Sequence, residues 1–177
     1  MEIVKKTIGS AVILIAVLGA SLSGASAAEK AAESTRDVRT IELRFKRLLD
    51  LANKHDINGI HAMFWQSPFA LLVAKSAVPS EGEWAGFWGN DAIDQKLHDI
   101  ADSGPVVLKP DLSRLKVVTL SSNIAQSYDP LEITVSYAGQ DGTPKPFLMI
   151  MTWKKISGDW KVASEIILPV PAKAPKA

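Results

Sequence analysis

The densest β pattern in the chain lies at 147–168, FLMIMTWKKISGDWKVASEIIL. Two apolar runs flank Ser157-Gly158-Asp159, a short polar break of the hairpin kind. Neither run is stable as an exposed ribbon, so each needs helices or another sheet to cover it. Upstream segments supply that cover. Within 37–54, Ile41, Phe45, Leu48, Leu49 and Ala52 recur at spacings of three and four and form one apolar stripe, with Arg39, Glu42, Lys46, Arg47 and Asp50 on the other side. Asp56 is placed to cap a second, shorter helix that turns Ile57, Ile60, Met63 and Phe64 inward. That helix ends at Trp65-Gln66-Ser67-Pro68, because the residue before a proline is pushed out of the α region.

Residues 69–73 read as a short strand and Pro79-Ser80-Glu81-Gly82 as a turn. An aromatic patch of Trp84, Phe87 and Trp88, punctuated by Gly86 and Gly89, leads into a third helix that Asn90 or Asp91 can cap. Ile93, Leu97 and Ile100 make its stripe, and Ser103-Gly104-Pro105 stops it. From Val107 the pattern is all β. Residues 112–120 form one strand and Ser121-Ser122-Asn123 a turn. A long strand over 124–137 is expected to be interrupted near Asp129-Pro130, where proline suggests a bulge or an edge. Residues 139–144 make a wide hairpin loop. The order is three helices with one early strand, then about four antiparallel strands: an α+β fold with helices covering one face of a curved sheet.

Residues 1–28 stand apart. Lys5 and Lys6 precede an apolar run over 8–22, and Gly24-Ala25-Ser26-Ala27-Ala28 follows. That is the order of a secretory signal, with cleavage after Ala27 or Ala28. The run is short for a bilayer span, so no stable membrane insertion is expected after cleavage. About 150 residues then remain, enough for one domain with a sizeable core. Loss of Glu2, Lys5 and Lys6 turns the formal charge of +1 into zero. A chain so balanced has no basic field to gather nucleic acid. Cysteine is absent, which removes thiolate nucleophiles and cysteine-based metal sites. The expected destination is the periplasm. The polar stretch 29–36 is a flexible lead-in, and the Pro/Ala/Lys tail 169–177 has nothing to bury and should be disordered.

Three features resemble the NTF2-like superfamily, the cone-shaped α+β fold that includes SnoaL-like and ketosteroid-isomerase-like domains. One is the helix 37–54 followed by Asp56 and a short helix ending Met63-Phe64-Trp65. Another is Gly89-Asn90-Asp91-Ala92-Ile93 at the start of the third helix. The third is the closing pattern Met151-Thr152-Trp153-Lys154-Lys155 and Gly158-Asp159-Trp160-Lys161-Val162. The likeness spans 37–168. It implies a conical cavity between the concave sheet and the helices, used in relatives for apolar ligands or for isomerase, dehydratase, cyclase or hydrolase chemistry. It also implies pairing through the sheet. Histidines that many small members carry around the last strand are replaced here by Ser164 and Ile166, with Glu165 between them.

Glu165 is the best acidic candidate, an isolated carboxyl in an apolar strand. Strict alternation puts it with Ala163 and Ile167, opposite Trp160, Val162, Ser164, Ile166 and Leu168. Facing the cavity, it would have a raised pKa and could act as acid or base, with His61 or Tyr128 as partner. Facing outward, it would be a surface or interface carboxylate. Trp65, Trp88 and Tyr128 are candidate cavity-mouth residues, and Met149, Met151 and Trp153 form a stripe that lines either a cavity or a dimer interface. His55, His61 and His98 lack a local metal-ligand spacing, and no phosphate loop or dinucleotide fingerprint is present, so no metal or cofactor is expected. Asp129-Pro130 and Asp141-Gly142 read as turn formers.

Three functions compete. A non-catalytic periplasmic domain would bind a small apolar or amphipathic molecule in its cavity. A self-associating or partner-binding envelope module, with a homodimer expected, would use its sheet face. A small isomerase, dehydratase or hydrolase would place Glu165 and a partner around one void.

Overall fold

Helix α1 spans Gly19–Asn53, α2 Ile57–Met63 and α3 Asn90–Ser103 in a computed structural model that describes residues 19–75, 84–135 and 141–170. The described residues divide into two units, one over 19–35 and one from 36 to 170. Of the first, residues 19–35 are helical, and residues 1–18 of the expected signal lie outside the described residues. The core and the site belong to the second unit. Its stretch of α1 buries Ile41, Phe45, Leu48 and Leu49, as the spacing predicts.

Local chemistry sets the helix ends. His55 takes a left-handed φ of 55° after α1, and Asp56 then caps α2 by accepting from the Gly59 N–H at 2.9 Å. Gly59 is required by closeness: a Cβ there would lie 2.7 Å from both Asp56 Oδ2 and Leu51 Cδ2. At α3 the cap is Gly89 at φ 82°, not Asn90 or Asp91. Asn90 is already helical, and its side-chain oxygen accepts from the Ser67 N–H instead, tying α3 to the end of α2. Asp91, in the first turn, favours the positive end of the helix dipole.

The strands are β1 Leu71–Lys75, β2 Trp84–Trp88, β3 Val106–Pro110, β4 Lys116–Thr119, β5 Ile124–Val135, β6 Lys145–Ile156 and β7 Asp159–Pro169. They make one open 7-stranded sheet in the order β2-β1-β7-β6-β5-β3, with β4 also on β5. Every pairing is antiparallel except β1 with β7. The α+β architecture of helices on a mostly antiparallel sheet is the one expected, with a larger sheet than the meander read from the sequence.

Several strands differ from expectation. β1 begins at Leu71, because the Ala70 carbonyl accepts from the Gly89 N–H at 2.9 Å and Phe69 stays exposed. The aromatic patch is itself strand β2. Only 116–119 of the expected strand 112–120 pairs, since the Arg114 N–H turns back onto the Asp111 carbonyl at 2.8 Å. β5 runs unbroken through Asp129-Pro130. Its β6 side pairs throughout, whereas its other side changes partner there, from β4 ending at Lys116↔Tyr128 to β3 ending at Pro110↔Leu131. Proline thus occupies a local gap in the ladder, where its missing N–H costs nothing. Residues 79–82 and 171–177, and 139–140 of the wide loop, lie outside the described residues.

The β6–β7 hairpin is turned by Ser157 at φ 50° and Gly158 at φ 85°. Two successive positive φ values match the right-handed strand twist that a tight hairpin must follow. α1 is fastened to this hairpin. Asp37 accepts from Trp160 Nε1 at 3.0 Å and from Lys155 Nζ at 2.9 Å, and Arg44 pairs with Asp159.

Candidate functional site

One face of the sheet is buried in the same hydrophobic core as Ile41, Phe45, Leu48, Ile60, Met63, Ile93 and Leu97 of the helices. Pairing registers show which residues share it. Ala125, Ser127, Asp129, Leu131 and Ile133 of β5 are buried in strict alternation, opposite Trp153, Met151, Met149, Phe147 and Lys145 of β6. We call this the inner face.

On β7 the alternation breaks once. Trp153 pairs with Val162 but Thr152 with Ser164, so Ala163 is an extra residue opposite the Thr152–Trp153 step. The bulge puts Trp160 and Val162 on the same face as Glu165 and Ile167. Strict alternation assigned Trp160 and Val162 to the side opposite Glu165, and the bulge corrects that assignment. Glu165 therefore lies on the inner face, in one row with Leu72, Met151 and Ser127. It is 7% exposed, and no residue among those described hydrogen-bonds to it or pairs with its charge. Burial alone pushes its carboxyl up to about 7.

A second buried carboxyl escaped the sequence reading. Asp129 is not in a turn but mid-strand, fully buried, in the neighbouring row with Met149 and Ile167. Neither of its side-chain oxygens has a hydrogen-bond partner. Burial, helped by the negative charge of Asp111, raises it to about 6; the charge of Arg114 and the nearby Asp111 backbone N–H, whose hydrogen bond goes to the Pro130 carbonyl, pull the other way. The parity of Leu131 and Ile133 carried the signal: their apolar character puts every odd position of β5 inside. Ser127 shares that parity and accepts from Trp153 Nε1 at 2.8 Å, which accounts for the one polar atom on the Trp153 side chain.

The six candidate ligand-binding residues separate. Met149, Met151 and Trp153 are fully buried on the inner face. Trp65, Trp88 and Tyr128 are not with them. Lys154, which alternates with Trp153 and so belongs to the outer face, sits 3.7 Å from the Trp65 ring centroid. Trp88 pairs with Leu71 on the outer side of β1 and is 61% exposed. Tyr128 stands on the outer face between Lys116 and Ile150.

Among the candidate catalytic residues, Glu165 is inside and Tyr128 outside. His61 sits between α2 and α3, with Nδ1 3.2 Å from Asp94 Oδ1 and Nε2 3.5 Å from Asn90 Nδ2. His98 approaches the other oxygen of Asp94 at 3.8 Å. The three candidates are thus not gathered on one face. Among the described residues no group of three or more His, Asp or Glu is placed to hold a metal ion, and no helix is long and apolar enough to cross a membrane.

No family model and no curated protein matches the chain. Solved structures do. A candidate scytalone dehydratase from Novosphingobium aromaticivorans matches with TM-score 0.63 at 13% identity, over 80% of this chain and 89% of that one. A candidate dehydratase of the NTF2-like family from Streptomyces avermitilis gives 0.64 at 13%, over 78% and 99%. A ketosteroid isomerase-like protein from Erwinia carotovora atroseptica gives 0.59 at 16%, over 77% and 98%. The chain has the NTF2-like fold.

Proposed function

We propose that this chain is a small-molecule-binding domain whose site is the inner face of the sheet, with Glu165 as the polar contact for a mainly apolar ligand. The observation that carries the reading is the Glu165 carboxyl itself, buried and without a protein partner among Met151, Leu72 and Ser127. A carboxyl so placed is half protonated near neutral pH and can donate to a carbonyl or accept from a hydroxyl. Met149 and Met151 give the surrounding surface the adaptability that an apolar ligand needs. The similar folds bear dehydratase and isomerase-like names, and an acid–base role for Glu165 is the competing reading. Binding is preferred because Tyr128 stands on the outer face and the His61 ring is engaged with Asp94 and Asn90 rather than with Glu165. The charged leader and short apolar run of 1–28 support a periplasmic setting.

Native mass spectrometry of the protein purified from its own periplasm tests this. Binding predicts a small mass excess lost on denaturation and missing from Glu165→Leu. A mass excess kept by that variant would sink the assignment of Glu165, and turnover of a captured ligand would replace binding by catalysis.

A second reading, homodimer formation, is favoured by the outer face. There Tyr128, Val118, Val107, Leu168 and Trp88 are 37–61% exposed, beside Ile150 and Ile166. An apolar patch of that extent favours burial. Its rim carries both signs, including Lys109 paired to Glu132 at 3.1 Å, so a second copy is the electrostatically self-complementary occupant. Ile166→Lys should turn a dimer into a monomer in sedimentation; a wild-type monomer at high concentration would end this reading.

A further inference from the structure

Asp129 poses a question that Glu165 does not answer. Both its oxygens are buried and unpartnered, although a serine, a tryptophan N–H and the backbone of the 111–114 turn lie on neighbouring elements. None of them bonds to Asp129. Ser127 takes the Trp153 N–H, the Asp111 N–H goes to the Pro130 carbonyl at 2.9 Å, and Ser113 Oγ goes to Asp111 Oδ1 at 2.6 Å. Buried polar atoms left wholly unpaired are rare and expensive, and a carboxyl has four acceptor positions to fill. No described protein group supplies the missing donor.

The registers say where that donor would sit relative to Glu165. Both carboxyls are on the inner face, Glu165 opposite Met151 on β7 and Asp129 opposite Met149 on β5. They are separated by two strand spacings across the sheet and one row along it, which places their Cα atoms about 12 Å apart. Met149 and Met151 occupy the diagonal between them, and both are unbranched side chains able to move aside for a chain-like ligand.

We infer that Asp129 is the second polar anchor of the inner-face site, accepting a hydroxyl or amine donor from the far end of an elongated, mainly apolar ligand whose near end meets Glu165. The inference rests on the ligand-binding reading and deepens it: the ligand class becomes a molecule with polar groups at both ends.

A length series separates the two claims. Unbranched α,ω-alkanediols of six to twelve carbons and the matching 1-alkanols are titrated into the wild-type protein, Glu165→Leu and Asp129→Leu, with Asp129→Asn as the isosteric fold control. The expected result is a diol preference over the 1-alkanol of at least fivefold that peaks at one chain length. It should vanish in Asp129→Leu, where no diol binds better than the matching 1-alkanol. If 1-alkanols bind with dependence on Glu165 but no length of diol gains over them, Asp129 is not an anchor and the simpler binding reading stands. A diol preference that survives both Asp129 substitutions overturns the inference as well. If neither series binds the wild type, both readings fall. The length dependence of the wild type needs no variant, so a destabilised Asp129→Leu leaves the test intact.

Discussion

Val162 and Glu165 lie on the same side of β7 although three positions separate them, because Ala163 is the extra residue of a bulge. In a regular strand that spacing would put them on opposite sides. One inserted residue therefore decides that a carboxyl enters the core and that Trp160 and Val162 stay there with it.

The burial of Glu165 makes stability depend on pH. Its carboxyl is raised from 4.5 to about 7, so the folded state holds a proton that the unfolded state has released between those values. The destabilisation from this group is absent below pH 4.5, grows as pH rises through about 7, and changes no further above that. Glu165→Gln removes the titration. It should gain about 3 kcal/mol over wild type at pH 8 and nothing at pH 4. Urea unfolding across that range checks it; parallel curves for the two proteins would show that Glu165 does not titrate in the core.

Asp129 should act in the same direction over a lower window. Raised from 3.8 to about 6, it costs stability as pH climbs between those values. Asp129→Asn should flatten that part of the curve and raise stability at pH 7 by about 3 kcal/mol. The distance between the two carboxyls predicts near-additivity in the double variant. A ligand seated on Asp129 would reverse the sign, making the substitution destabilising when the ligand is present.

Much of this fold was legible because its signals are local. The stripe of 37–54, the Asp56 cap and the Ser157-Gly158 turn all act within a few residues, and each stands where the sequence puts it. What escaped depends on distant partners. β2 is Trp-Ala-Gly-Phe-Trp, with no alternation to read, and becomes a strand because β1 pairs along its length. Asp129 looks like a turn residue beside Pro130, yet β6 holds that stretch extended while β3 and β4 leave the gap proline needs. Glu165 was identifiable as an isolated carboxyl, but its face was not, since the bulge at Ala163 comes from the pairing of β6 with β7. Trp65, Trp88 and Tyr128 looked like a cavity mouth only because sequence gives aromatic content without strand parity.

Asp37 joins α1 to the closing hairpin, and its removal should be felt in both. Burial pushes its carboxyl up, but hydrogen bonds from Lys155 and Trp160, with the charges of Lys155 and Arg36, outweigh that and hold it below 3.8. Its contribution is therefore complete above 3.8 and is lost as pH falls through the lowered value. Asp37→Ala leaves the buried Trp160 N–H without an acceptor and should cost about 2–3 kcal/mol at pH 7. Asp37→Asn keeps an acceptor and should cost less. Equal losses in the two variants would mean that the carboxylate charge, and not the hydrogen bond, makes the link.

Ser127 and Trp153 offer the cleanest test of the inner face, since each supplies the other's buried partner. Ser127→Ala removes the acceptor 2.8 Å from Trp153 Nε1 and leaves that N–H unpaired where both residues are at most 1% exposed. An unpaired buried donor costs about 1–3 kcal/mol, more than the net worth of the bond itself. Trp153→Phe removes the donor and also shrinks a fully buried ring, so alone it should cost more, about 2–4 kcal/mol. The informative quantity is the cycle. In the Trp153→Phe background no N–H remains to be stranded, and Ser127→Ala should then be nearly neutral. A coupling of about 1 kcal/mol or more is expected from paired denaturant titrations. If Ser127→Ala cost the same in both backgrounds, the serine would be held by packing alone, and its place opposite Met151 would leave its hydroxyl free to serve a ligand beside Glu165.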